Sequence, residues 1–79
     1  MFMVYPNPTS GKFTLEITGE KPTGKLNVEI FSMHGDRVFS AELNGNKTQE
    51  LSLSDRPAGI YIVRVISGSQ TEIARIIKE

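Results

Sequence analysis

The sequence predicts an all-β fold, an immunoglobulin-like antiparallel β-sandwich of about seven short strands. Apolar and polar residues alternate with period two in Phe13-Thr14-Leu15-Glu16-Ile17-Thr18 and again in Leu26-Asn27-Val28-Glu29-Ile30, which is the mark of strands buried on one face. Clusters of Gly, Pro, Ser, Asn and Asp recur roughly every ten residues between such runs. No window of about eleven residues carries apolar side chains at the three-and-four spacing of an amphipathic helix.

A short strand is expected at residues 2–5, then a second at 12–18 with Phe13, Leu15 and Ile17 on its inner face. Residues 19–24 gather Gly19, Pro22, Thr23 and Gly24 and read as a loop. The third strand, 25–30, repeats the alternation, and Ser32-Met33-His34-Gly35-Asp36 follows as a turn in which Gly35 can take a positive φ. In the fourth segment, 37–43, Val38, Phe39, Ala41 and Leu43 break the alternation. One extra residue shifts the inward-facing set by one, so a bulge is expected between Val38 and Phe39.

Asn44-Gly45 is the strongest short hairpin signal in the chain, because a type I′ turn needs positive φ at both central positions. Residues 47–53 are therefore expected to return beside 37–43. Residues 54–59 form a loop in which Pro57 fixes φ and Gly59 relieves a steric constraint. The run Ile60-Tyr61-Ile62-Val63-Arg64-Val65-Ile66 is apolar and β-branched on both faces, which predicts a central strand whose second face is also covered. Residues 67–70 turn the chain into a last strand at 71–78 carrying Ile73, Ile76 and Ile77.

The chain has 79 residues, nine Lys plus Arg against nine Asp plus Glu, one His and no Cys. A chain this short buries only about 60% of its unfolded surface, so a buried catalytic constellation is a poor expectation. Balanced charge removes the basic footprint of a nucleic-acid or anionic-membrane binder. The lack of Cys excludes disulfides, thiolate metal sites and a thiol nucleophile. No apolar run approaches the ~18–20 residues that span a bilayer, and Met1-Phe2-Met3-Val4-Tyr5-Pro6 lacks the basic and long apolar regions of an export signal.

Catalytic readings find little support. His34 has Asp36 as its only nearby carboxylate, in a turn, and reads as a solvated side chain. Ser32, Ser54 and Asp55 satisfy only the composition of a nucleophilic triad. Glu16, Glu29, Glu42 and Glu50 fall where alternation points to solvent. Asn46-Lys47-Thr48 fits a glycosylation sequon by coincidence of composition. Tyr5 and Tyr61 are expected to pack across the sheet as core residues rather than to stack on a ligand. No metal, cofactor or catalytic residue is assigned. The last strand combines apolar residues with Arg75 and Lys78, which suits either a charge-protected sheet edge or a strand read by a partner.

Three stretches together are more specific. Val4-Tyr5-Pro6-Asn7-Pro8-Thr9-Ser10-Gly11-Lys12-Phe13, then Val28 through Val38 with Gly35, then Leu53-Ser54-Asp55-Arg56-Pro57-Ala58-Gly59-Ile60-Tyr61-Ile62-Val63-Arg64-Val65 resemble, in order and spacing, the C-terminal sorting domain of type IX (Por) secretion system cargo. The resemblance covers residues 4–79, with 1–3 as leading or linker residues. It implies a non-catalytic domain at the end of a larger protein. Such a cargo enters the periplasm by its own export signal and is then recognised by the outer-membrane machinery of the type IX system. It ends secreted or at the cell surface, in many members after a sortase-like peptidase removes the tail. The resemblance places recognition on Ile73, Arg75, Ile76, Ile77 and Lys78. It gives Tyr5, Pro6, Asn7, Pro8 and Gly11 the first strand and turn, Gly35 a turn, and Gly59, Tyr61, Val63 and Val65 the central strand.

The alternative is a fibronectin-type-III-like carbohydrate- or protein-binding accessory module of a secreted enzyme. That reading asks for exposed aromatics clustered on one face or in loops. The four Phe and two Tyr fall mostly on strands in core phase.

Overall fold

The computed structural model describes residues 2–19, 24–44 and 47–79. Among them seven strands follow one another: β1 (Phe2–Tyr5), β2 (Lys12–Ile17), β3 (Leu26–Ser32), β4 (Arg37–Leu43), β5 (Thr48–Ser52), β6 (Gly59–Ser67) and β7 (Gln70–Lys78). They form a three-stranded sheet in the order β1-β2-β5 and a four-stranded sheet in the order β4-β3-β6-β7. Every ladder is antiparallel, as expected of an immunoglobulin-like sandwich.

The core is the sum of the inward halves of these alternations. Phe13, Leu15 and Ile17 of β2 and Leu51 of β5 come from one sheet; Leu26, Val28 and Ile30 of β3, Tyr61, Val63 and Val65 of β6, and Ile76 of β7 come from the other. Each is less than a tenth exposed, and each such side chain contributes roughly 1.5–3 kcal/mol when removed from water. Leu53 closes the core just beyond β5.

The bulge falls where the broken alternation places it. Ile30 pairs with Phe39 and Phe31 with Arg37, which leaves Val38 as the extra residue. Both Val38 and Phe39 pack against the core as a result. The hairpin expected at Asn44-Gly45 does not form: β4 pairs with β3 and β5 pairs with β2, so the chain crosses between sheets there. Gly45 and Asn46, and with Asn46 the sequon, lie outside the described residues. A turn signal reports local backbone geometry only. The partner of β5 is chosen by burial, because pairing with β2 sets Leu51 opposite Phe13 in the core.

β6 is central, between β3 and β7, but only one of its faces lies under the other sheet. Tyr61, Val63 and Val65 are buried, whereas Ile60, Ile62, Arg64 and Ile66 are half-buried on the outer face. The expected cover over that second face is not supplied by any described strand.

Candidate functional site

The last strand divides its residues between the two faces of the sheet. Ile76 is fully buried opposite Tyr61. Ile73, Arg75 and Ile77 point outward, with Ile73 64% exposed and Ile77 38% exposed. Lys78 is half-buried beside Gly59 at the strand's end. The five residues assigned to recognition therefore do not form one surface: Ile76 anchors the strand, and Ile73, Arg75 and Ile77 are presented by it.

β7 is an edge strand, yet the C-terminal half of its edge is closed. The Asn7 side chain behaves as a peptide unit would: its Nδ2 donates to Arg75 O at 2.9 Å and its Oδ1 accepts from Ile77 N at 2.9 Å. Two residues on, Thr9 N donates to Ile77 O and Glu79 N donates to Thr9 O, both at 2.8 Å. Pro6 and Pro8 have no N–H to offer, so the Asn7 amide and the Thr9 backbone make the ladder. Both bonds preceding these prolines, Tyr5-Pro6 and Asn7-Pro8, are cis. Strand addition along residues 75–79 is blocked by this segment, so only the N-terminal part of the edge strand is free of it.

The segment is in turn tied to the core. Thr9 is 1% exposed; its Oγ1 donates to Lys12 O at 2.6 Å and accepts from Gly11 N at 3.0 Å. Gly11 O accepts from Leu53 N at 2.8 Å. At Gly11, φ is +153°, and a Cβ would sit 2.5 Å from Ser54 Oγ and 3.1 Å from Ser54 Cα. Only a residue without a side chain lets the two backbones cross so closely.

The other motif residues sit as follows. Tyr61 is core, and its hydroxyl donates to Pro57 O at 2.6 Å, which holds the 54–59 loop over the end of the sandwich. Gly59 takes φ +157° with open space around it. Gly35 donates its N–H to Ser32 O in the β3–β4 turn. Tyr5 is 38% exposed rather than packed inside, because odd positions of β1 face outward; its hydroxyl donates to Glu16 Oε1 at 2.6 Å. That bond to a carboxylate pushes the phenol's pKa up.

His34 is exposed in the β3–β4 turn, where its N–H donates to Ser32 Oγ. Among the described residues no three His, Asp or Glu come together as a metal site would need. Glu29 departs from the expected wet carboxylate, being 14% exposed at its side chain. Arg64 Nε donates to its Oε1 at 2.9 Å and Arg37 Nη1 to its Oε2 at 3.1 Å. These bonds, that from Arg64 foremost, hold the Glu29 carboxyl below the ordinary range. The Arg64 guanidinium also stacks 5.0 Å from the Phe31 ring centre. Sequence reasoning missed this triad because Glu29, Arg37 and Arg64 meet only through strand register.

Comparison with known proteins adds independent findings. The model of the family described as the secretion system C-terminal sorting domain matches residues 3–79. An endo-acting ulvan lyase of Formosa agariphila is 31% identical over 62 residues, covering 78% of this chain and 11% of the lyase. Karilysin of Tannerella forsythia is 28% identical over 86 aligned positions, covering 99% of this chain and 18% of karilysin. The chain thus spans less than a fifth of either relative.

Proposed function

The chain belongs to the secretion system C-terminal sorting domain family, and from that premise we propose how this tail is read. It is a type IX sorting signal, non-catalytic in itself, and it implies export to the cell surface or release as part of a larger protein. In our reading the cargo crosses the periplasm and the outer-membrane machinery recognises β7, through Ile73, Arg75, Ile77 and Lys78. Ile76 serves that recognition by anchoring the strand in the core. Residues 4–79 form the sorting unit and 1–3 lead into it. A sortase-like peptidase that removes the tail fits the same reading.

The observation that carries the proposal is the split of β7 into a buried anchor and an outward row at the very strand that Asn7 and Thr9 hold in place. Fusing the whole chain to the C-terminus of a reporter with its own export signal tests it, in a bacterium equipped with the type IX system. The reporter is expected outside the cell; retention in the periplasm overturns the proposal. Replacing Arg75 and Lys78 together by Ala is expected to stop export while leaving the circular dichroism spectrum unchanged. Unfolding of that variant would instead assign the two cations to edge protection.

A further inference from the structure

The outer face of the four-stranded sheet carries an apolar surface that the fold does not need for its own core. By register, Phe31 of β3, Ile60, Ile62 and Ile66 of β6, and Ile73 and Ile77 of β7 all lie on it. β-Branched side chains on both faces of a central strand normally mean cover on both, yet this face has none among the described residues. Ile73 and Ile77 are exposed and the other four half-buried, and apolar side chains grouped on an open face in this way mark an interaction site.

The charges on the face say what chemistry covers it. Arg37, Arg64 and Arg75 share it with two carboxylates, both engaged: the Glu29 oxygens are taken by Arg37 and Arg64, and Glu42, on the far strand β4, pairs with Lys25 at 3.2 Å. Arg75 sits in the middle of the apolar surface, opposite Ile62 and between Ile73 and Ile77. Its guanidinium forms no ion pair among the described residues. Covering the isoleucines desolvates Arg75, and a desolvated unpaired cation is strongly unfavourable. The partner must therefore bring a carboxylate to that point. A second copy packed through the same face does not meet that need, because both carboxylates there are engaged, Glu29 by Arg37 and Arg64 and Glu42 by Lys25.

We infer that the outer face of β3, β6 and β7 is a docking surface for a protein segment with an apolar stripe and an Asp or Glu at its centre, placed against Arg75. The inference rests on the sorting reading and deepens it, moving recognition from the terminal strand alone to a surface three strands wide.

The test uses the same exported reporter carrying the whole chain. Arg75→Lys is expected to export at the parent level, while Arg75→Glu and the pair Ile62→Ser with Ile73→Ser each lower export about tenfold or more, the scale of losing one well-placed contact. Urea midpoints are measured alongside, and Arg75→Glu, a surface change, decides the matter should the isoleucine pair loosen the fold. Met3→Ser with Glu50→Gln, on the outer face of the other sheet, is expected to export normally. If the parent chain itself stays in the periplasm, the sorting reading falls and this one with it. If the parent exports and the Arg75→Glu chain exports equally well, only the docking surface falls. A photo-crosslinking residue at Ile73, introduced in exporting cells, identifies the occupant: a protein peptide containing Asp or Glu is expected. Crosslinking to a second copy of the chain overturns the assignment. So does flotation of the purified chain with phosphatidylglycerol vesicles that Arg75→Glu abolishes.

Discussion

Asn7 and Ile77, seventy residues apart, are paired as neighbours in a sheet, with the Asn7 Oδ1 accepting from the Ile77 N–H at 2.9 Å. A side chain from the start of the fold thereby completes the edge of its last strand. The pairing joins the beginning and end of the domain, so a defect in either is felt in the other.

Asn7→Ala removes the bonds to Arg75 O and Ile77 N. At about 0.5–1.5 kcal/mol for each exposed hydrogen bond, the loss is expected near ~1–3 kcal/mol. Urea denaturation reads the stability, and hydrogen exchange should show the Ile77 amide losing protection while Val63 and Val65 keep theirs. Unchanged exchange at Ile77 would refute the pairing.

Gly11→Ala is expected to destabilise by about 1–3 kcal/mol, from its backbone conformation and from the approach to Ser54. Adding Ser54→Ala removes the closest atom, Oγ, and should return part of that loss in a double-mutant cycle. Gly59→Ala, with a similar φ but open space, should cost less than Gly11→Ala. Equal losses at both glycines would show that contact with Ser54 contributes nothing.

Ile76→Ala is expected to destabilise by roughly 2–5 kcal/mol, the range for truncating a fully buried aliphatic side chain. Ile73→Ala, three residues earlier and 64% exposed, should stay within about 0.5 kcal/mol of the parent. Thermal or urea unfolding separates the two, and comparable effects would mean that β7 is in another register.

Glu29 gives the domain an acid-sensitive component. Its folded pKa lies below its unfolded value, chiefly through the hydrogen bond from Arg64, so its contribution is fully present above the ordinary Glu value of about 4.3 and is lost as pH falls through the lowered one. Stability measured from neutral pH downward should therefore drop more steeply for the parent than for Glu29→Gln in that acidic window. Parallel profiles would mean the two arginine bonds leave no net preference for the ionised form.

The all-β class, the boundaries of most strands and the inward residues were legible from alternation, because a strand buried on one face repeats every two residues whatever it pairs with. The bulge at Val38 was legible for the same reason: an extra residue disturbs the period where it occurs. The turn beyond β4 was not, since Asn44-Gly45 describes a bend and says nothing about which sheet Leu51 will enter. Tyr5 was misplaced inward because an aromatic in a strand has no intrinsic preference between faces. For the terminal strand, sequence gave composition, and its anchor and outward row emerged only from the register with β6.

Sequence alone thus determined that this chain is a two-layered β domain and, through three ordered stretches, which family it joins. Tertiary structure decided that Asn7 closes the edge of β7, that Glu29 is held between two arginines, and that Arg75 stands among isoleucines on an uncovered face. The physical reason is range. Periodicity and turn chemistry are properties of neighbouring residues, whereas these three relationships join positions brought together only when strands far apart in the chain choose their partners by the apolar surface they bury.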